Sequence, residues 1–147
     1  MIFDTMYGNT EKIAKAVAKG LKKQGLKVDA AKANEVDISK LTGYDLIAVG
    51  GPTRQFKMSA AMSEFLKKLH GVELKDKLGF AFDTKVKLFF SGSAAKGIER
   101  ELRKLGLRIA MPYAEAIVTG REGPLKEGEE DRFERVGSEL AKYLAAK

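Results

Sequence analysis

Cysteine is absent from the 147 residues, so the chain has no disulfide framework and no thiol chemistry. Tryptophan is also absent, and histidine occurs once, at position 70. One histidine without cysteine excludes an ordinary zinc site, and no metal ligands are expected. His70 ends a helical pattern just before Gly71. A cation there complements the helix dipole, which suits it better than acid–base work. No apolar run is long enough to span a bilayer, and no signal peptide opens the chain, so no membrane insertion is expected. The lack of cysteine suits a cytoplasmic protein.

Positive charge, by contrast, is plentiful. The formal net charge is +7, a balance that attracts nucleic acid, anionic membranes or acidic partners. The lysines are spread rather than clustered, with Lys12, Lys15, Lys19, Lys22 and Lys23 along one helical pattern. That is the signature of a solvated face. No aromatic-rich basic motif accompanies it, so nucleic acid is not the expected partner.

The length suits one domain over 1–147. Ile2-Phe3 reads as the end of a first strand, and Glu11 to Gln24 as a helix with Ile13, Ala14, Val17, Ala18 and Leu21 on its apolar stripe. Only three residues precede the first turn, so the native chain is expected to start upstream of Met1. Leu26 to Ala33 alternates like an edge strand. Tyr44 to Val49 and Lys77 to Asp83 are apolar almost throughout, as strands buried on both faces are. Gly50-Gly51-Pro52-Thr53 breaks the first of these. Helical patterns follow Ser59 and Ser93, burying Met62, Phe65, Leu66 and Leu69 in one, and Ala94, Ala95, Ile98, Leu102 and Leu105 in the other. Ala116-Ile117-Val118 reads as a short last strand, and Glu127 to Ala145 as the last helix. Strands and helices alternate, which predicts an α/β fold: a doubly wound, five-stranded parallel sheet of order 2-1-3-4-5 with helices on both faces.

That topology brings three loops to the carboxyl edge of the sheet: Thr5–Thr10, Gly51–Met58 and Asp83–Ser91. The first, Asp4-Thr5-Met6-Tyr7-Gly8-Asn9-Thr10, runs from a strand straight into a helix. A helix start offers unpartnered N–H groups and partial positive charge, which together receive a phosphate. Thr5 and Thr10 add hydroxyls, Asn9 an amide, and Gly8 permits positive φ. Simple helix capping by the same residues is the competing reading. No Gly-Lys-Ser/Thr follows, so the loop is not a Walker A sequence. Asp4 and Asp83 at strand ends would suit a phospho-receiver, but Gly-Gly-Pro-Thr stands where a receiver needs its phosphorylated Asp. Asp4 is expected to orient the phosphate loop.

The order Thr-x-Tyr-Gly-Asn-Thr at Thr5–Thr10 resembles the phosphate loop of flavodoxins, and Gly51-Pro52-Thr53 is similar to the second flavodoxin loop. The third loop diverges. The resemblance spans the chain and implies an FMN-binding, flavodoxin-like electron-transfer protein with a redox partner protein, of acidic surface given the basic loops. It implies that Thr5, Met6, Tyr7, Gly8, Asn9 and Thr10 hold the phosphate, that Pro52, Thr53, Arg54, Gln55, Phe56 and Lys57 flank one side of the isoalloxazine, and that Asp83, Thr84, Lys85, Val86 and Lys87 flank the other. No residue is expected to do covalent chemistry. Phe56 is either the aromatic partner of the ring or a core residue anchoring its loop. Phe89 and Phe90 are expected under the following helix. The chain is too short for the segment that long-chain flavodoxins insert in the last strand.

In many flavodoxins a second-loop peptide flips on reduction. Such a flip is easiest where glycine tolerates positive φ, so Phe56-Lys57 is expected to resist it and to stabilise the one-electron-reduced flavin weakly. Arg54, Lys57, Lys85 and Lys87 either face the ring and raise its low potential, or face solvent. Two alternatives stay open: an FMN-dependent NAD(P)H:quinone oxidoreductase on the same fold, and a flavin-free binding module with a basic surface.

Overall fold

The computed structural model describes residues 1–87 and 92–146. The second half of the expected third loop, with Phe89 and Phe90, lies outside the described residues.

The elements in order are β1 (Ile2–Phe3), α1 (Asn9–Lys23), β2 (Ala31–Lys32), a 3-10 turn (Ile38–Gly43), β3 (Leu46–Pro52), α2 (Ala60–Lys68), a second 3-10 turn (Leu69–Gly71), β4 (Leu78–Val86), α3 (Ala94–Lys104), β5 (Arg108–Ile109), β6 (Ala114–Val118) and α4 (Glu129–Ala145). The sheet runs β2-β1-β3-β4-β5, and every ladder between these strands is parallel. The expected order is therefore present.

Its fifth position differs from the expected single strand. β5 pairs with Leu78 and Gly79 at one end of β4, and β6 pairs with Phe82 to Val86 at the other. Only residues 110–113 separate them, so no long insertion interrupts the edge. Two boundaries also move. β3 continues through Gly50 and Gly51 to Pro52, because β4 offers it a paired register as far as Thr84. β2 is shorter than Leu26–Ala33, because β1 gives it only two residues to pair with.

Both faces of the sheet are covered. On one, Ile2, Ile47, Val49 and Ala81 pack against Met62, Phe65 and Leu66 of α2 and Ile98 and Leu102 of α3. On the other, Phe3, Ala48, Phe80 and Phe82 pack against Ile13 and Val17 of α1 and Phe133 and Leu140 of α4. Each such side chain contributes about 1.5–3 kcal/mol on burial. Phe80 and Phe82 project to one face, as the two-residue period requires, and their rings stack 6.2 Å apart. Gly50 lies opposite Phe82 and makes room for it: a Cβ there would stand 2.1 Å from the ring.

Helices α1 and α4 approach at backbone distance. A Cβ on Gly20 would lie 2.0 Å from the Glu134 carbonyl oxygen, and one on Gly137 2.1 Å from that of Val17. Lys19 and Lys23 close the seam outside by pairing with Glu134. Among the described residues, no helix is long and apolar enough to cross a membrane.

Candidate functional site

The chain crosses from β1 into α1 in five residues, Asp4 to Gly8. Gly8 stands at the helix start with φ 88°, and no side chain caps the helix. The Thr5 hydroxyl folds back to accept from Gly8 N at 2.9 Å. The first N–H groups of α1 are thus left without a side-chain cap. Asp4 accepts from the Ser59 hydroxyl, and Ser59 in turn caps α2 by accepting from Met62 N at 3.1 Å. Asp4 thus ties the first loop to the second helix.

The second loop departs from expectation. Arg54 N donates to Lys57 O at 2.7 Å and Lys57 N to Arg54 O at 3.0 Å, closing a two-residue hairpin. Its tip, Gln55 at φ 47° and Phe56 at φ 73°, is left-handed at both positions. Such a turn normally recruits Asn and Gly. Glycine is not needed for positive φ in this loop: the paired ends impose it. Phe56 is 66% exposed, so it is not a core anchor.

The third segment is strand where a loop was expected. β4 runs to Val86, because β6 pairs with it from Phe82 onwards. Asp83 is wholly buried. One carboxylate oxygen accepts from the Thr53 hydroxyl at 3.0 Å, the Ser93 hydroxyl at 3.3 Å and Ala95 N at 3.0 Å; the other has no partner among the described residues. Burial, assisted by nearby Glu115, pushes its pKa up to about 6, against the pull of these donors. Asp83 therefore joins the second loop to the start of α3 from behind.

A fourth segment was missed by sequence reasoning. Residues 119–124 form a hairpin after β6, closed by Thr119 N to Pro124 O at 2.8 Å and Gly123 N to Gly120 O at 3.0 Å. The Asn9 amide donates one N–H to Glu122 O of this hairpin at 3.1 Å. The signal was a Thr-Gly-Arg-Glu-Gly-Pro turn following the last strand at the ligand edge.

These segments enclose a cavity of about 380 Å³. Thr5, Met6, Tyr7, Asn9 and Thr10 line it from the first loop, Pro52, Thr53, Arg54 and Gln55 from the second, and Thr84, Lys85 and Val86 from β4. Val118 and Arg121 complete it and were not anticipated. Gly8 shapes the turn without lining the cavity. Phe56, Lys57 and Lys87 are exposed outside its wall, and Asp83 lies behind it. Inside, the Thr10 and Thr84 hydroxyls lie 2.8 Å apart, both residues buried. Lys85 is not a free cation: it pairs with Glu115 at 3.2 Å and donates to the Gly92 carbonyl. Arg54 reaches across the mouth to the Met6 sulfur.

A flavodoxin from Aquifex aeolicus is 27% identical over 166 residues, with 99% of this chain and 85% of the relative covered. An uncharacterised protein of Methanocaldococcus jannaschii is 28% identical over 148 residues, covering 97% of this chain and 36% of the relative. The chain spans about a third of the length of the M. jannaschii relatives it matches. The solved structure of a flavodoxin from the domain Archaea superposes with a TM-score of 0.86 at 22% identity, over 98% of this chain and 96% of the other, a likeness of fold. The sequence model of the flavodoxin family matches residues 1–135, and the chain belongs to that family.

Proposed function

We propose that this chain is an electron carrier that holds FMN, the cofactor of its family, in the cavity at the carboxyl edge of the sheet and exchanges electrons with a protein partner of acidic surface. One observation carries the reading: residues 5–7, 9–10, 52–55 and 84–86, far apart in sequence, line a single cavity beside an uncapped helix start.

The residues present fit FMN in three respects. At one end, the uncapped N–H groups at the start of α1 and the field of the helix suit a phosphate dianion. In the middle, the paired hydroxyls of Thr10 and Thr84 can turn to a polyol chain. Elsewhere Pro52, Val86 and Val118 offer apolar wall for a flat ring. The volume lies within the range of cofactor clefts.

When bound, FMN supplies reversible electron uptake, and the protein supplies orientation and field. Thr53 keeps the second loop against β4, its N–H donating to Thr84 O at 2.9 Å. Arg54 places positive charge at the mouth, which favours a more reduced, more negative state of whatever is bound there. Lys85 contributes less, because Glu115 offsets it. Met6, Tyr7 and Phe56 present exposed apolar surface around the same mouth, with Arg54, Lys57, Lys87 and Arg121 close by in the lining and adjoining segments. An apolar centre with a cationic rim complements an acidic partner and steers its approach.

The test is electron transfer by FMN-loaded protein. Reversible reduction by an acidic donor protein, at a rate falling with salt, supports the proposal. Rapid NADPH oxidation with a quinone acceptor would favour the enzyme reading instead. A cytoplasmic location is part of the proposal, and fractionation of source cells checks it.

A further inference from the structure

We propose that Arg121, carried on the 119–124 hairpin, closes the phosphate end of the cavity and makes the site select phosphorylated flavin over riboflavin. The inference rests on the FMN reading above and adds a fourth segment to it.

Position comes first. Arg121 lines the same cavity as Thr5, Asn9 and Thr10. The next residue in the chain, Glu122, receives its hydrogen bond from Asn9, the first residue of α1. Consecutive Cα atoms are about 3.8 Å apart, so the Arg121 side chain starts beside the first turn of α1. The hairpin that carries it is held at both ends. Thr119 and Pro124 are bonded across its base, and Val118 bridges to Leu125 below. Glu129, anchored on Ile117 N at 2.7 Å and paired with Arg132, fixes the strand feeding it.

Charge comes second. The first loop offers neutral donors only: hydroxyls, an amide and backbone N–H groups. Among the described residues, three cations line the cavity, namely Arg54, Lys85 and Arg121. Lys85 is engaged by Glu115, and Arg54 lies across the mouth against Met6. Among the described residues, no carboxylate pairs with Arg121. It is therefore the cation available at the helix start, where a phosphate brings close to two negative charges. A guanidinium can give two parallel N–H groups to phosphate oxygens, which riboflavin lacks. Since Arg121 is exposed, its contribution is open to screening by salt.

The experiment measures FMN and riboflavin affinities, by quenching of flavin fluorescence, for the wild type, Arg121→Gln and Arg121→Lys. Arg121→Gln is expected to weaken FMN about tenfold and leave riboflavin within about twofold, as loss of one charge-assisted contact implies. Arg121→Lys should keep most of the preference. Raising salt from about 0.05 to 0.5 M should weaken FMN binding more in the wild type than in Arg121→Gln. Equal loss for both flavins, or an unchanged FMN affinity in Arg121→Gln, overturns the role of Arg121 and leaves FMN binding intact. A wild type that binds no FMN overturns both.

Discussion

Asp83 and Phe56 are each held where an isolated residue would not rest, and each gives a measurable consequence. The Asp83 carboxylate is buried, with one oxygen unpartnered among the described residues, and its pKa rises to about 6 from an ordinary 3.8. A raised carboxylate pKa means the folded chain holds the proton more tightly than the unfolded chain. Its stabilising contribution is complete below the unfolded value and is lost as pH rises through the folded one. Wild type and Asp83→Asn, compared by urea unfolding, should therefore diverge between about pH 4 and 7. The asparagine variant should gain on the order of 2–3 kcal/mol relative to wild type over that interval. A constant difference would mean that Asp83 does not titrate there. Glu11, Glu129 and Glu134, each lowered by its basic partner, act in the opposite sense in both proteins and cancel in the comparison. Phe56 occupies a left-handed position that costs a non-glycine residue about 1–2 kcal/mol, and its ring is mostly exposed. Phe56→Gly should raise apo-protein stability by about 0.5–1 kcal/mol, read from thermal or urea unfolding.

At the scale of elements, the α1–α4 seam inverts a common rule. Glycine to alanine inside a helix ordinarily stabilises by about 0.5–1 kcal/mol. At Gly137 the new Cβ would meet the Val17 carbonyl oxygen at 2.1 Å, so the helices must separate. Gly137→Ala is expected to destabilise by about 1–3 kcal/mol, seen as a lowered urea midpoint with an unchanged slope. The same elements show what was legible in the sequence. Contiguous features were readable: the stripe of α1, the serine cap of α2, and the turn at Thr5–Thr10, all of whose chemistry sits within a few neighbouring residues. Features set by distant partners were not. Thr84-Lys85-Val86 looks like a loop after an apolar run, yet it is strand because Ala116 and its neighbours supply a ladder. Gly20 and Gly137 gave no local hint of the seam they form. Arg121 stayed hidden because its place beside α1 depends on a bond spanning 113 residues of chain, from Asn9 to Glu122. The left-handed tip at Gln55–Phe56 was missed because residue preference argued against it while the hairpin's closing bonds decide it.

At the scale of the molecule, an excess of positive charge is resolved into two populations. Many lysines lie on solvated helix faces, where Lys15 pairs with Glu11 and Lys142 with Glu139 at little energetic consequence. A second group stands around the cavity, and there the pairing of Lys85 with Glu115 leaves Arg54 as the cation at the mouth. Arg54→Gln should make the potential of the bound cofactor more negative by about 30–60 mV, with a smaller change for Lys85→Gln, measured by potentiometry. The more basic question is whether the loops, brought together by a 2-1-3-4-5 sheet, hold FMN at all. Titration of the purified protein with FMN, followed by visible absorption and flavin fluorescence, answers it most directly. The account predicts saturation at about one FMN per chain, with a shifted absorption band and quenched emission. Flavin that keeps its free spectrum at all protein concentrations would contradict it.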